Sequence, residues 1–262
     1  MLTGQTATCR LLNCCIKMKR RYAGLITLYI LVVLISVFAG NRAASAADIL
    51  RVLAGDGTSS HGIILFQVRL PRIIAASGCG AALAAAGFLL QGSLDNRIAS
   101  PGILGINNGA GLFVLISAWF FPFRPEIKCV MAFFGALTVT LLISLLTIRT
   151  GMSKTSVILS GVAISALSVS LIDVIISIKP ETVADRVAFQ IGGFSTVNIR
   201  AVWFAIPLIL TGLIASFLLA PSMDILALGD ETAQGLGLNA KRCRYLLILC
   251  AALLSGASVS MS

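Results

Sequence analysis

The feature that most restricts this chain is a succession of apolar runs, each about as long as a helix needs to cross a bilayer. They cover Ala23 to Ala39, Leu70 to Gln91, a stretch entered through residues 102–111, residues near 127–148, 156–178 and 201–221, and a last run opening near Tyr245. A helix crosses the hydrocarbon core in about 20 residues, and in lipid only helices and closed barrels satisfy every backbone polar group. The alternating ten-residue segments of a barrel are absent. Among 262 residues, 58% are hydrophobic and 11% charged, more apolar material than a soluble core of this length can hide. The reading is an all-α polytopic membrane protein with about seven spans. Plentiful Gly and Ala with few aromatics suit helices that pack backbone to backbone.

The polar stretches between the runs carry the rest of the information. Residues 1–22 form a basic segment ending in Lys17, Lys19, Arg20 and Arg21. The run behind it is longer than a signal-peptide core, so it reads as a start-transfer helix with a cytoplasmic N-terminus, Met18 being an alternative start. Asp48 to Leu53 is amphipathic and suits an outer surface. Arg69-Leu-Pro-Arg72 opens the second span: Pro71 favours a first helical turn, which would put Arg69 and Arg72 at the positive helix end and call for an anion, either lipid phosphate or an acidic protein surface. Gly80 to Gly87 offers that span a small-residue face. Gly102, Gly105, Asn107, Asn108, Gly109 and Gly111 match no nucleotide-loop spacing; asparagines within a span face the bundle interior or a water-filled cavity. Asp173, inside the fifth span, is a functional candidate or an interior acid paired to a neighbour.

Ser222 to Arg244 is the longest polar, glycine-punctuated interruption in the C-terminal half. Ser222 can cap one short helix that Gly229 ends, and Asp230 a second that Gly235 and Gly237 end. The result would be a knob at a turn between spans, either a contact element or an ordinary solvated loop. Counting spans from a cytoplasmic N-terminus places it in the cytoplasm, with Arg97, Arg149, Lys154 and the Lys241/Arg242/Arg244 cluster on the same side. The seven cysteines show no C-x-x-C pair and His61 sits in a loop without a partner at ligand spacing, so no metal and no cofactor is expected. The formal charge of +10 is scattered among membrane segments, which argues against nucleic acid.

Several of these stretches, in this order, resemble the permease subunits of iron-siderophore and cobalamin ABC importers, the FecCD family. They are Arg69-Leu-Pro-Arg72, Gly80 to Gly92, Asn96 to Gly105, Asn108-Gly-Ala-Gly111, Leu159 to Ala163, Gly192-Gly193, and Leu226 to Ala233 with Leu236-Gly237. The resemblance implies about ten helices per subunit, two permease subunits around a pathway, two cytoplasmic ATPase subunits and an extracytoplasmic substrate-binding protein. Residues 23–262 would be the permease domain in the cytoplasmic membrane and 222–244 its coupling segment. Leu226, Gly229, Asp230, Glu231, Thr232, Ala233, Leu236 and Gly237 would meet the ATPase, and Arg69 and Arg72 the binding protein. Asn96 and Ile98 would line a cytoplasmic gate in which Arg97 replaces the family's proline, with Thr155 at the same gate; Gly105, Asn107, Asn108 and Asp173 would line the pathway. The cargo would be a ferric siderophore, haem or cobalamin-type chelate, and the chain itself would perform no bond chemistry. Relative to that family about three C-terminal helices are expected beyond Ser262, so the sequence reads as a truncated permease. An intramembrane hydrolase lacks its constellation, since Asp173 has no acid partner within the spans; a secondary transporter would need inverted repeats, and no second half is evident.

Overall fold

The computed structural model describes residues 3–38, 64–121, 124–150, 154–194 and 199–261, so the Asp48–Leu53 piece and His61 lie outside the described residues. It divides into two compact units, Met1–Ile73 and Ile74–Ser262.

The first unit holds α1 (Thr3–Phe38) and a π-helical turn, Leu65–Arg69, leading into α2 (Leu70–Leu94). Along α1, Leu25, Ile26, Leu28, Ile30 and Ile35 are all exposed, and a helix apolar all round is at home only in lipid. Its stretch Lys19–Val37 has spanning length and hydropathy. The expected helix start at Pro71 is corrected: helical backbone is already in place at Ile64, and the Leu70 N–H reaches the Leu65 carbonyl. Proline lacks an N–H and its ring crowds the carbonyl four residues back; a widened π-turn just ahead relieves that crowding. Arg69 and Arg72 therefore do not sit at a helix N-terminus, and the macrodipole argument for an anion falls. Arg69 instead donates from Nη1 to the Val37 carbonyl at 2.6 Å.

The second unit contains the rest of α2, then α3 (Ile106–Phe120), α4 (Pro125–Thr150) and α5 (Lys154–Ile178). A 3-10 turn (Pro180–Thr182) leads to α6 (Val183–Ile191), followed by α7 (Ile199–Leu226), α8 (Asp230–Gly235) and α9 (Ala240–Val259). Among the described residues six helices, α1 included, are long and apolar enough to span, and α3 is a shorter apolar seventh. That agrees with the seven runs of the sequence.

The helix α9 is the axis of this unit. Leu247, Ala251, Ala252, Leu254, Ser255 and Ala257 are all but completely buried, and α9 packs against α4, α7 and α3. By contrast α5 and α7 turn Leu159, Leu167, Ile178, Trp203, Phe217 and Leu218 outward. These are surfaces for lipid or for further protein.

Close approach is set by glycines, though not by those the sequence favoured. A Cβ on Gly80 or Gly87 would meet nothing within 4 Å; the buried face of α2 is Ala75, Cys79, Ala82 and Ala86, one residue type over on the same helix. The tight crossings are Gly109 with Gly135 between α3 and α4, Gly161 against Leu104, and Gly212 against Leu254. Two further corrections concern boundaries. Helix α7 runs unbroken through Pro207 and Pro221 to Leu226, so Ser222 caps nothing. Buried Met223 and Leu226 anchor its last turn and outweigh the single N–H that Pro221 lacks. Helix α9 starts at Ala240 rather than Tyr245, with the Asn239 side chain accepting from the Arg242 N–H as its cap. The short amphipathic α6 had no counterpart in the sequence reading.

Candidate functional site

Two places in the second unit gather the residues singled out above: the knob between α7 and α9, and a cavity between α2, α3, α6 and α9.

At the knob, α7 ends at Leu226 and the chain turns through Gly229 (φ 104°), which occupies the position before α8 that sequence reasoning had given to Asp230. Gly237 (φ 84°) makes the exit turn; both conformations are strained for a residue with a Cβ. The knob has an inner and an outer side. Leu226 and Ala233 are buried in the core, whereas Glu231, Thr232 and Gly237 are exposed and Leu228 and Leu236 show 65% and 64% of their surface. The knob is thus held by small and aliphatic residues underneath and presents two leucines with a carboxylate beside them.

Arg244 fixes this arrangement. Its Nη2 donates to both carboxylate oxygens of Asp230 at 2.8 and 3.1 Å, and its Nε donates to the Ser93 carbonyl at 2.8 Å. Ser93 lies in the last turn of α2, where carbonyls lack helical partners and the helix end is partially negative. One half-buried guanidinium therefore joins the end of α2, the start of α8 and the first turns of α9. Asp230 is a structural acid on this geometry, and Leu228 and the clamping role of Arg244 were missed. The signal was present: Asn239 followed by Ala-Lys-Arg is a helix start, which sets Arg244 on the second turn of α9.

Beyond Ser93 the chain leaves α2 through Asp95, whose φ of 48° is left-handed. Asn96 Oδ1 accepts from the Ile98 N–H at 2.9 Å, a tight turn that leaves the Ile98 side chain 67% exposed. Arg97 is exposed beside it. The segment ends at Gly105, at φ 75° the residue preceding α3. A Cβ there would lie 3.1 Å from the Gly161 carbonyl oxygen and from Ser165 Cα. Gly105→Ala is expected to cost about 1–2 kcal/mol from the left-handed backbone alone, with crowding added. A thiol-reactive dye in a thermal ramp reads this as a rise beyond the reaction of the half-buried Cys129, because Cys79, Cys243 and Cys250 are buried in the fold. Thr155 is exposed in the first turn of α5, six residues ahead of the Gly161 contact.

The cavity measures about 360 Å³ and is lined by Cys79, Leu83, Asn107, Asn108, Phe189, Gln190, Phe194, Ser258 and Val259. Both asparagines thus face it, as expected for amides in an apolar helix. Asn108 Nδ2 donates to Ser165 Oγ at 2.5 Å, and Asn107 Oδ1 accepts from Ser255 Oγ at 3.4 Å. Phe189 reaches the wall because α3 carries Gly111 opposite its ring. Cys79, Gln190 and Ser258 were not anticipated. Asp173 is not part of the cavity wall: it is exposed on α5 and pairs with Arg186 of α6 at 2.5 Å. Two parallel contacts hold the same region, Lys128 with Asp185 at 2.6 Å and Lys179 over the Trp119 ring at 4.9 Å. Among the described residues no cluster of three or more His, Cys, Asp or Glu could hold a metal ion.

Spanning helices packed through glycine, a polar cavity among them and a clamped knob at one turn define a polytopic membrane permease. The chain belongs to the FecCD transport family, whose model matches residues 28–262. It is 32% identical over 251 residues to the Fe(3+)-citrate import system permease protein YfmD of Bacillus subtilis, covering 93% of this chain and 75% of that protein. It is 30% identical over 243 residues to the ferric enterobactin transport system permease protein FepD of Escherichia coli, covering 91% and 72%. Among solved structures, a metal-chelate type ABC transporter in an inward-facing conformation superposes with a TM-score of 0.80 at 27% identity, over 93% of this chain and 76% of that one.

Proposed function

We propose that the chain is the membrane-spanning permease subunit of an ABC importer that carries a ferric chelate across the cytoplasmic membrane, with ATP hydrolysed on partner subunits. The observation that carries this reading is the knob. A solvated loop has no need of a buried underside, a bidentate arginine clamp and two outward leucines; a docking element needs all three. In this reading residues 1–22 are a basic cytoplasmic segment and 23–262 the permease domain. The knob, the Asn96–Ile98 turn and Thr155 face the cytoplasm, where two ATPase subunits bind the knob. A second permease subunit completes the pathway, and Asn107, Asn108 and Gly105 line it. Arg69 and Arg72 take the acidic surface of an extracytoplasmic binding protein, Arg72 being the exposed one of the two. The salt bridge of Asp173 with Arg186 steadies α6 against α5.

The test is retention of the cognate ATPase by the membrane-embedded chain. Leu228→Asp with Leu236→Asp changes only exposed side chains, so folding should persist while retention falls by about tenfold or more, as expected when apolar anchors at the centre of an interface are lost. Full retention by this double variant would sink the docking role. Absence of ATPase from the unaltered chain and from its partner complex alike would sink the importer reading.

A further inference from the structure

The two long helices that flank the knob carry, at their knob ends, charges of the sign that a helix terminus disfavours. The amide end of a helix is partially positive and its carbonyl end partially negative. Lys241 and Arg242 nevertheless stand in the first turn of α9, which opens at Ala240, and Asp224 in the last turn of α7, which closes at Leu226. All three are exposed. Arg244, one turn further along α9, is offset by Asp230. Among the described residues neither Lys241 nor Arg242 meets an acid, and Asp224 meets no base. Each of the three charges therefore weakens the helix end that carries it without gaining a partner there. Between them lies the knob, from which Leu228 and Leu236 stand out.

We infer that these three charges are one half of an electrostatic match with the partner ATPase, whose docking surface presents acidic side chains to Lys241 and Arg242 and a basic one to Asp224, on either side of an apolar notch that takes Leu228 and Leu236. This rests on the docking role proposed for the knob and adds to it the charge pattern of the partner. Anionic phospholipid is the other counter-charge open to cations at a membrane edge, but a lipid surface of one sign would repel Asp224 and the exposed Glu231. A protein surface carries both signs. Exposed charges at the rim of an apolar contact act mainly on the rate of encounter and on its salt dependence, and less on the lifetime of the complex.

The experiment follows association of the purified partner ATPase with the chain, assembled with its second permease subunit in phosphatidylcholine nanodiscs and, in parallel, in nanodiscs that also contain phosphatidylglycerol. Lys241→Gln with Arg242→Gln should slow association about tenfold at low salt and Asp224→Asn about threefold, in both lipids. Both differences should vanish at high salt, with dissociation changed less than about threefold. The thermal midpoint of each variant without ATPase should be unchanged or raised, since a charge opposed by its own helix end has been removed. Leu228→Asp with Leu236→Asp, which removes the apolar anchors, is the reference for lost docking. If the charge variants associate at the unaltered rate while the leucine variant fails, the charge pattern is overturned and the docking role stands. An effect confined to the phosphatidylglycerol nanodiscs overturns it in favour of lipid, and a lowered thermal midpoint overturns it in favour of a structural role. If the unaltered chain captures no ATPase in either lipid, the charge pattern falls together with the docking role.

Discussion

On the docking role proposed for the knob, Arg244→Ala should uncouple the chain from a partner ATPase while leaving most of it folded in the membrane. The guanidinium makes three hydrogen bonds, two to Asp230 and one to the Ser93 carbonyl, and no single replacement side chain reproduces them. Its loss leaves the Asp230 carboxylate, 40% exposed, free to take water, so the electrostatic part of the loss is moderate. The carbonyl of Ser93, a residue 1% exposed, is left without its donor. A total near 1–3 kcal/mol is expected from an unsatisfied buried acceptor and a partly exposed ion pair, too little to unfold a bundle whose α9 is largely buried from Leu247 to Ser258. The knob, in contrast, would keep only aliphatic contacts such as those of Leu226, Ala233 and Leu238 to hold it, and its two outward leucines would no longer point in a fixed direction. Chelate-stimulated ATP hydrolysis should fall by about tenfold or more with membrane abundance within about twofold. Arg244→Lys retains a charge for Asp230 but cannot also reach Ser93 in the planar fork, and should fall between the two. Unchanged coupling in Arg244→Ala would show that α8 is positioned by its buried underside alone.

The lipid-embedded character of this chain was legible because hydropathy over 20 residues is a sum, and sums survive local errors. The family was legible because its polar interruptions fall in a fixed order. What failed were inferences from single residues at boundaries. Pro71 and Ser222 are standard start signals, yet each stands inside a continuous helix. The apolar residues on both sides gain more from staying helical in a bilayer than a missing N–H costs, since in lipid an unwound turn exposes several backbone groups. Within the Gly80–Gly87 face it is Ala82 and Ala86 that are buried, whereas Gly80 and Gly87 meet nothing: small residues permit close approach, but which helix approaches is decided by pairings distant in sequence. Asp173 was chosen for its place inside an apolar span, and of its two readings the structure shows the paired acid, joined to Arg186. Arg244 was visible only as one base among three until Asn239 set the start of α9.

Gly135→Val should prevent assembly of the bundle, with folded protein falling by about tenfold or more, because the crossing of α3 and α4 has no slack. An added Cβ at Gly135 would lie 2.5 Å from the Gly109 carbonyl oxygen and 2.8 Å from Phe113 Cβ. Neither can yield cheaply: one is backbone of a packed helix and the other the root of a side chain. Gly109 faces the same crossing from α3, where a Cβ would lie 3.1 Å from the Gly135 carbonyl oxygen, so the two helices touch backbone to backbone and valine at either position must drive them apart. Separation there does not stay local. Thr140 and Ala136 on α4 are buried, and a Cβ on Gly256 of α9 would lie 3.0 Å from Ala136 Cβ, so a shifted α4 loses its seat against the central helix. Gly80→Ala and Gly87→Ala supply the contrast. Neither Cβ meets anything within 4 Å, and alanine is the better helix former by roughly 1 kcal/mol, so both should leave the yield and the unfolding temperature of the purified chain unchanged or slightly raised. Equal damage from all three substitutions would mean that glycine content, rather than this one crossing, governs the packing. Damage confined to Gly135→Val would locate the packing constraint at the α3–α4 contact, which also fixes the start of α3 and with it Asn107 and Asn108 in the cavity wall.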